Sequence, residues 1–190
     1  MEPVPGVVRV RAVDALATAD LAQGDAADGV DVTNGFSLFY DASRNQVVRG
    51  LALTIGDLDL ATEAADEAMA RAFERWGHVA TLDNPGGWAY RVGLNWARSV
   101  LRRRRLRGQE LYDLGNTELP SVADPAVHQA LADLDLKHRS VVVCRFFLDW
   151  SVEETAAALR TRPGTVKSRL HRATEQLRIR LAHLRPEDPS

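Results

Sequence analysis

The sequence predicts an all-α protein, built as two small helical domains joined by a flexible linker. Three observations predict it. Residues 150–184 carry two helical signatures separated by the turn Thr161-Arg162-Pro163-Gly164. Residues 85–107 carry one long helical pattern of tryptophans and arginines. Between them, residues 108–128 are acidic and interrupted by Gly108, Gly115, Pro120 and Pro125, the composition of a linker.

The 190 residues suffice for one domain or two small ones, and 45% hydrophobic with 26% charged content is ordinary for a soluble globular chain. The net charge of −2 hides a segregation. Residues 1–35 hold six acids against Arg9 and Arg11, a net −4. Residues 86–107 hold seven arginines and no acid. Residues 108–128 are −4, and residues 150–185 are +5. Two basic blocks flanking an acidic segment suggest two places where phosphates are met. The one cysteine, Cys144, lies in the apolar run SVVVCRFFL and reads as core; a reducing cytoplasm fits a chain with no internal disulfide. No run has the length of a transmembrane helix, and the N-terminus lacks the apolar core of a signal peptide.

In chain order, residues 1–35 read as an acidic, flexible extension. VDALATADLAQ can form a short helix there, and GDAADGVDVTNG has loop composition. Such a tail either solvates the chain or masks a basic face. Residues 36–76 read as two helices. The first is marked by Phe36, Phe39, Tyr40, Val47, Val48 and Leu51. The second, from about Leu60, turns Ala65, Met69, Ala72 and Phe73 inward and Glu63, Asp66, Glu67, Arg71 and Glu74 outward. Residues 77–84 form a loop. Asn84-Pro85 then starts a helix, with Asn as the cap and Pro in the first turn. On it, Trp88, Val92, Trp96 and Val100 recur every four residues and are expected to pack on the preceding helices. Arg91, Asn95, Arg98, Arg102 and Arg105 make a separate cationic stripe. A helix of about twenty residues is roughly 30 Å long, so the stripe can follow about nine base pairs of duplex.

The linker spans at most about 70 Å when extended. Residues 129–149 supply Leu131, Leu134, Leu136, Val141, Val142, Phe146 and Phe147 as the core side of buttressing helices. Ser151 and Glu154 have the form of a capping box, so a helix starts there. After the turn, Val166, Leu170, Ala173, Leu177, Leu181 and Leu184 form one apolar stripe, with Lys167, Arg169, Arg172, Arg178 and Arg180 on the other face. A short helix, a turn and a longer basic helix make a helix-turn-helix, whose second helix enters the major groove. Hydroxyls and cations at the start of that helix are the base and phosphate contacts such a reader needs: Arg162, Thr165, Lys167, Ser168, Arg169 and Arg172. A C-terminal domain of some 55 residues is marginal alone, so docking on polymerase or on a partner is expected to stabilise it.

VEETAAALR followed by GTVKSRLHRA resembles the last DNA-binding domain of bacterial sigma factors of the sigma-seventy superfamily, extracytoplasmic-function type. NPGGWAYRVGLNWARSVLRRR resembles the sigma segment that recognises and melts the −10 promoter element. Together the resemblance covers residues 36–184 and implies a specificity subunit that binds core RNA polymerase, reads −35 and −10 elements and helps open the DNA. It implies −35 contacts by the C-terminal residues just named, and −10 contacts by His78, Asn84, Trp88, Arg91, Asn95, Arg98 and Arg102. It places a base-capturing pocket at about 76–84. Asp66, Glu67 and Arg71 fall where such chains dock on the β′ clamp, with the β flap as a second polymerase contact. The equivalent linker passes through the polymerase cleft, and an anti-sigma factor is a further implied partner. Two positions depart from the pattern. Thr155 stands where an aliphatic residue is usual, and Arg160 where Gly often makes the turn, a strain if that residue needs positive φ.

Melting needs cations on phosphates and a surface for a displaced base, since unstacking costs a few kcal/mol and aromatic stacking returns about 1–3 kcal/mol per base. The competing class is a stand-alone helix-turn-helix regulator binding an operator as a dimer, which gives the arginine helix no role. An enzyme is disfavoured: no phosphate-cradling glycine loop, metal-ligand cluster or nucleophile–base set is present, His78, His128, His138, His171 and His183 are scattered, and no cofactor or membrane is implied.

Overall fold

The computed structural model describes residues 27–107 and 125–182, and every regular element among them is helical. The segment VDALATADLAQ, residues 108–124 of the expected linker 108–128, His183 and Leu184 lie outside the described residues; residues 125–128 of that expected linker are helical instead, as the start of α5. Eight α-helices are present among those described: α1 Ala27–Ile55, α2 Leu58–Glu74, α3 Trp76–Val79, α4 Pro85–Leu106, α5 Pro125–Ala132, α6 Leu136–Val142, α7 Val152–Ala158 and α8 Pro163–Arg180. A π-helical turn, Val143–Phe147, continues α6.

Helix α1 starts within the segment whose composition reads as loop. Propensity is a weak prior that tertiary contact overrides, and the contact here is Trp76. A Cβ added at Gly35 would lie 3.1 Å from the Trp76 Nε1, so this glycine lets the helix lie against the indole. Phe36 and Phe39 follow, with ring centroids 5.6 Å and 5.1 Å from Trp76. α1 ends at Gly56, whose φ of 82° suits only glycine well and whose N–H bonds the Ala52 carbonyl at 2.7 Å. Asp57 then caps α2, its carboxylate accepting from Leu60 N at 2.8 Å.

The centre of the N-terminal half is a seam of small residues. Ala61, Ala64, Ala65 and Ala68 of α2 and Ala89, Gly93 and Ala97 of α4 are all buried. A Cβ at Gly93 would sit 2.8 Å from the Ala64 carbonyl oxygen, so backbone meets backbone there. Trp88, Val92, Trp96 and Val100 pack against this core as expected, but half-buried at its rim, because the narrow face lets the helices close and leaves the large side chains flanking them. Phe73 is likewise 52% exposed rather than turned inward, its ring edge-on to Phe36 at 5.0 Å. Residues 77–79, expected as loop, join Trp76, expected to end the second helix, in the short α3, held by buried Trp76 and Val79.

In the C-terminal half Leu131, Leu134, Val141, Val142 and Cys144 are buried as expected, and Leu136 and Phe147 are half-buried. Phe146 departs from expectation at 66% exposed. The π-turn adds one residue to the helical repeat, which rotates Phe146 outward while Val143, Cys144 and Leu148 stay buried. The Ser151–Glu154 capping box closes with both bonds, Glu154 N to Ser151 Oγ at 3.0 Å and Ser151 N to Glu154 Oε2 at 2.7 Å. The apolar stripe of α8 faces inward through Val166, Leu170, Ala173 and Leu177.

The two halves share one hydrophobic core. Leu131, Leu134, Val142, Val143, Cys144 and Leu148 belong to the same cluster as Leu51, Tyr90 and Leu94. The support that a marginal C-terminal domain was expected to take from polymerase or a partner comes in this structure from the chain's own N-terminal half.

Candidate nucleic-acid interface

The Asn84 cap forms as the sequence implies, its Oδ1 accepting from Gly87 N at 2.6 Å. A Cβ at Gly87 would meet the Asn84 side chain at 2.9 Å, so the cap and the glycine require each other. Asn84 therefore has one side-chain atom committed to the helix. Along α4, Asn95, Arg98 and Arg102 are exposed, while Arg91 and Trp88 are half-buried. Among the described residues Arg98, Arg102, Arg103 and Arg105 form no ion pair; Arg104 leans towards Asp57 at 3.8 Å. His78 is exposed at the end of α3, and Leu82 is half-buried. Trp76 is in the core and gives the segment before α4 no free aromatic surface.

Arg91 stands apart from the rest of its stripe. Its Nη1 is 3.5 Å from the Ala157 carbonyl oxygen at the end of α7. Partial burial holds its pKa below the usual arginine value, and the nearby Arg160 charge adds to that shift.

On α8 the cationic face divides in two. Towards the C-terminus, Arg178 pairs with Glu175 at 2.6 Å and Arg180 pairs with Asp133. Towards the N-terminus, Lys167, Ser168 and Arg172 are exposed, Thr165 and Arg169 half-buried, and Arg162 exposed at the cap position. Lys167, Arg169 and Arg172 form no ion pair with a described residue, so the charges left for an external anion are at the end of the helix that enters a groove. The turn before it is a Schellman closure: Thr161 N bonds Ala156 O at 2.9 Å and Arg160 N bonds Ala157 O at 3.3 Å. Arg160 has φ 47°, the positive value the departure from Gly put in question. Thr155, the other departure, is fully buried with its hydroxyl unpartnered.

On α2, Asp66 accepts two bonds from Arg44 of α1, at 2.8 Å from Nε and 2.6 Å from Nη2, and Glu67 pairs with Arg71 at 2.6 Å. Beside them opens a cavity of about 410 Å³ lined by Phe36, Tyr40, Met69 and Phe73. Asp66 and its partner Arg44 also line that cavity, whereas Glu67 and Arg71 lie outside its lining. Among the described residues no group of three or more His, Cys, Asp or Glu is placed to hold a metal.

Sequence reasoning missed Arg139. It is 5% exposed and donates to three carbonyls, Thr54 O at 3.2 Å, Leu134 O at 2.9 Å and Ala132 O. Burial lowers its pKa, opposed by the charges of Asp133 and Asp135. The signal was a cation three residues after Leu136 and two before Val141, on the apolar side of its helix. Also missed was Tyr90, fully buried, whose hydroxyl pairs with Thr54 Oγ1 at 2.7 Å and whose ring meets Trp150 edge-on at 5.5 Å.

The Sigma-70, region 4 family matches residues 125–177. An RNA polymerase sigma-E factor of Streptomyces avermitilis is 30% identical over 152 residues, which is 77% of this chain and 84% of that protein. The ECF RNA polymerase sigma factor SigL of Mycobacterium tuberculosis is 30% identical over 155 residues, 76% of this chain and 88% of that protein. Among solved structures, the sigma factor RpoE of Bartonella quintana, in complex with the anti-sigma factor NepR, aligns with a TM-score of 0.67 at 20% identity, over 79% of this chain and 98% of that one. That last likeness is one of fold.

Proposed function

The chain belongs to the ECF RNA polymerase sigma factors, and from that premise we propose how its residues divide the work. It is a promoter-specificity subunit that binds core RNA polymerase, recognises the −35 and −10 elements and helps melt the DNA. It carries out no covalent chemistry. Residues 36–107 form the polymerase-binding and −10 half, and residues 129–185 the −35 half. In the −35 half, Arg162, Thr165, Lys167, Ser168, Arg169 and Arg172 contact the major groove and its phosphates. In the −10 half, Asn95, Arg98 and Arg102 hold the backbone, Trp88 and Arg91 extend that surface, and His78 and Asn84 border the displaced base. Asp66, Glu67 and Arg71 meet the β′ clamp, and the −35 half meets the β flap. No helix among the described residues is long and apolar enough to cross a membrane; the proposed place of action is the cytoplasm. An anti-sigma partner belongs to the same proposal, by the resemblance to the NepR-bound protein.

One observation carries this reading. Among the described residues, Arg98, Arg102, Arg103 and Arg105 of α4 and Lys167, Arg169 and Arg172 of α8 form no ion pair, which leaves cations on both faces a two-element reader needs, although Arg49, Arg75 and Lys137 elsewhere are unpaired as well. Core polymerase with this protein is expected to start transcription from cognate promoters in a genomic library. Arg169→Ala then costs roughly tenfold or more on duplex promoters, the scale of one lost specific contact, and leaves a pre-melted template largely unaffected. Equal loss on both templates overturns the division, and no promoter-specific start overturns the whole.

A further inference from the structure

Between α1 and α2 lies a groove whose aromatic floor is left open. Phe36, Tyr40 and Arg44 of α1 form one wall, and Asp66, Met69 and Phe73 of α2 the other. The eight residues from Phe36 to Arg44 give it a length of about 12 Å. Phe36 stands edge-on to Phe73 at 5.0 Å, and Phe73 is 52% exposed. The rim is acidic. Glu63, Glu67 and Glu74 share the row of Ala70, which also lines the groove, at steps of four, three and four. Asp41 flanks Tyr40 on α1. With Asp66 these are five acids against Arg44 and Arg71, a net of 2 − 5 = −3. Both cations are already taken, Arg44 by Asp66 and Arg71 by Glu67. Asp41, Glu63 and Glu74 are exposed and form no ion pair with a described residue. Arg49 and Arg75 fall on the far sides of α1 and α2 from the groove.

An apolar floor with an acidic rim fits a segment that alternates small apolar residues with cations. The chain holds one. Val7-Val8-Arg9-Val10-Arg11-Ala12-Val13 contains both cations of the otherwise acidic residues 1–35. We propose that residues 7–13, which lie outside the described residues, seat in this groove as an extended segment, with Val8, Val10 and Ala12 on the floor and Arg9 and Arg11 against the acidic rim. Alternation puts Val8, Val10 and Ala12 on one side, and arginine stems lie along apolar surface while their heads reach outward to carboxylates. Seven extended residues span about 23 Å, so both arginines stay within the groove. The tether fits as well. From Val13 to the start of α1 at Ala27 is 27 − 13 = 14 residues, an r.m.s. reach of about 19–22 Å. Phe36 lies nine helical residues from Ala27 and Arg44 seventeen, about 14 Å and 26 Å. Effective concentration is highest when reach matches span, and for a short tether it is about millimolar. The seat covers Asp66 and adjoins Glu67 and Arg71. On the function given above, from which this step follows, the segment competes with the β′ clamp for that face. Held at about 1 mM, a segment whose own Kd is about 0.1 mM fills the groove about ten to one, and apparent affinity for polymerase falls about tenfold.

A benzoylphenylalanine in place of Val10 of the full-length chain reports the seat without polymerase. On irradiation of the dilute free chain it is expected to crosslink, within its own chain, to peptides carrying Phe36, Tyr40, Met69 or Phe73. Arg9→Glu with Arg11→Glu is expected to remove most of that yield. Adding Glu63→Lys with Glu74→Lys, both exposed positions, is expected to restore it. Without the crosslinker, Arg9→Glu with Arg11→Glu is expected to bind core polymerase about tenfold tighter than wild type. Crosslinks that map elsewhere, crosslinks between two chains, or a yield indifferent to the charge changes each overturn the seat. Groove crosslinks that follow the charges while polymerase affinity stays unchanged overturn the competition. Should neither wild type nor variant bind core polymerase, it is the function that falls, and the crosslink then still decides whether residues 7–13 fill the groove.

Discussion

Replacing Arg160 by glycine is expected to stabilise the protein, and its companion Arg160→Ala to show why. The residue has φ 47° because the Schellman closure of α7 demands it: both Thr161 N and Arg160 N must turn back onto Ala156 O and Ala157 O. A non-glycine residue in the left-handed region costs about 1–2 kcal/mol. Glycine removes that cost but returns about 0.4–1 kcal/mol by freeing the unfolded chain. The net gain is then roughly 0.5–1 kcal/mol, or a rise of about 1–4 °C in Tm for a chain of this size. Arg160 is exposed, so little packing is lost. Arg160→Ala removes the charge near Arg91 and keeps the strained backbone, so it is expected to stay close to wild type. Thermal and urea unfolding of the three proteins side by side measure the difference. Equal stabilisation by Ala and Gly would assign the gain to charge, and a loss with Gly would refute the strain.

Two further changes test buried and capping groups. Thr155→Val replaces a fully buried hydroxyl that has no partner, so stability is expected to rise by about 1 kcal/mol; a lower urea midpoint at unchanged slope contradicts the unpaired hydroxyl. Asp135 caps α6, its carboxylate accepting from His138 N at 2.9 Å, and that backbone bond is the largest cause of its lowered pKa. Asp135→Ala is expected to cost about 1 kcal/mol near neutral pH. A lowered folded pKa stabilises above the unfolded value, about 3.9, and the benefit fades as pH falls through the folded pKa. The gap between wild type and variant therefore holds from pH 7 to about 5 and closes in acid; a gap that widens on acidification refutes the cap.

Local signals carried most of the fold. The Asn84 cap, the capping box at Ser151, the turn at Pro163 and the apolar stripe of α8 are each decided within a few residues, and each forms as the sequence implies. What failed was decided by contacts distant in sequence. The start of α1 depends on Trp76, 41 residues after Gly35. The fully buried centre of α4 depends on how closely Gly93 lets it approach Ala64, and the row of large side chains read from periodicity packs at its rim. Phe146 turns outward through one extra residue in a helical turn, which no pattern of apolar spacing announces. In the candidate site, charge patterning found the two cationic faces. It did not separate Arg178 and Arg180, consumed by Glu175 and Asp133, from Lys167, Arg169 and Arg172.

The buried cation Arg139 ties the two halves through the backbone, since it donates to the Thr54 carbonyl of α1 and to the Leu134 and Ala132 carbonyls of its own half. A large apolar residue there would bury surface at about 25 cal/mol per Å² but would leave those three carbonyls without a donor, and an unsatisfied buried polar group costs about 1–3 kcal/mol. That is why a cation, and not a hydrophobe, fills a position on the apolar side of α6.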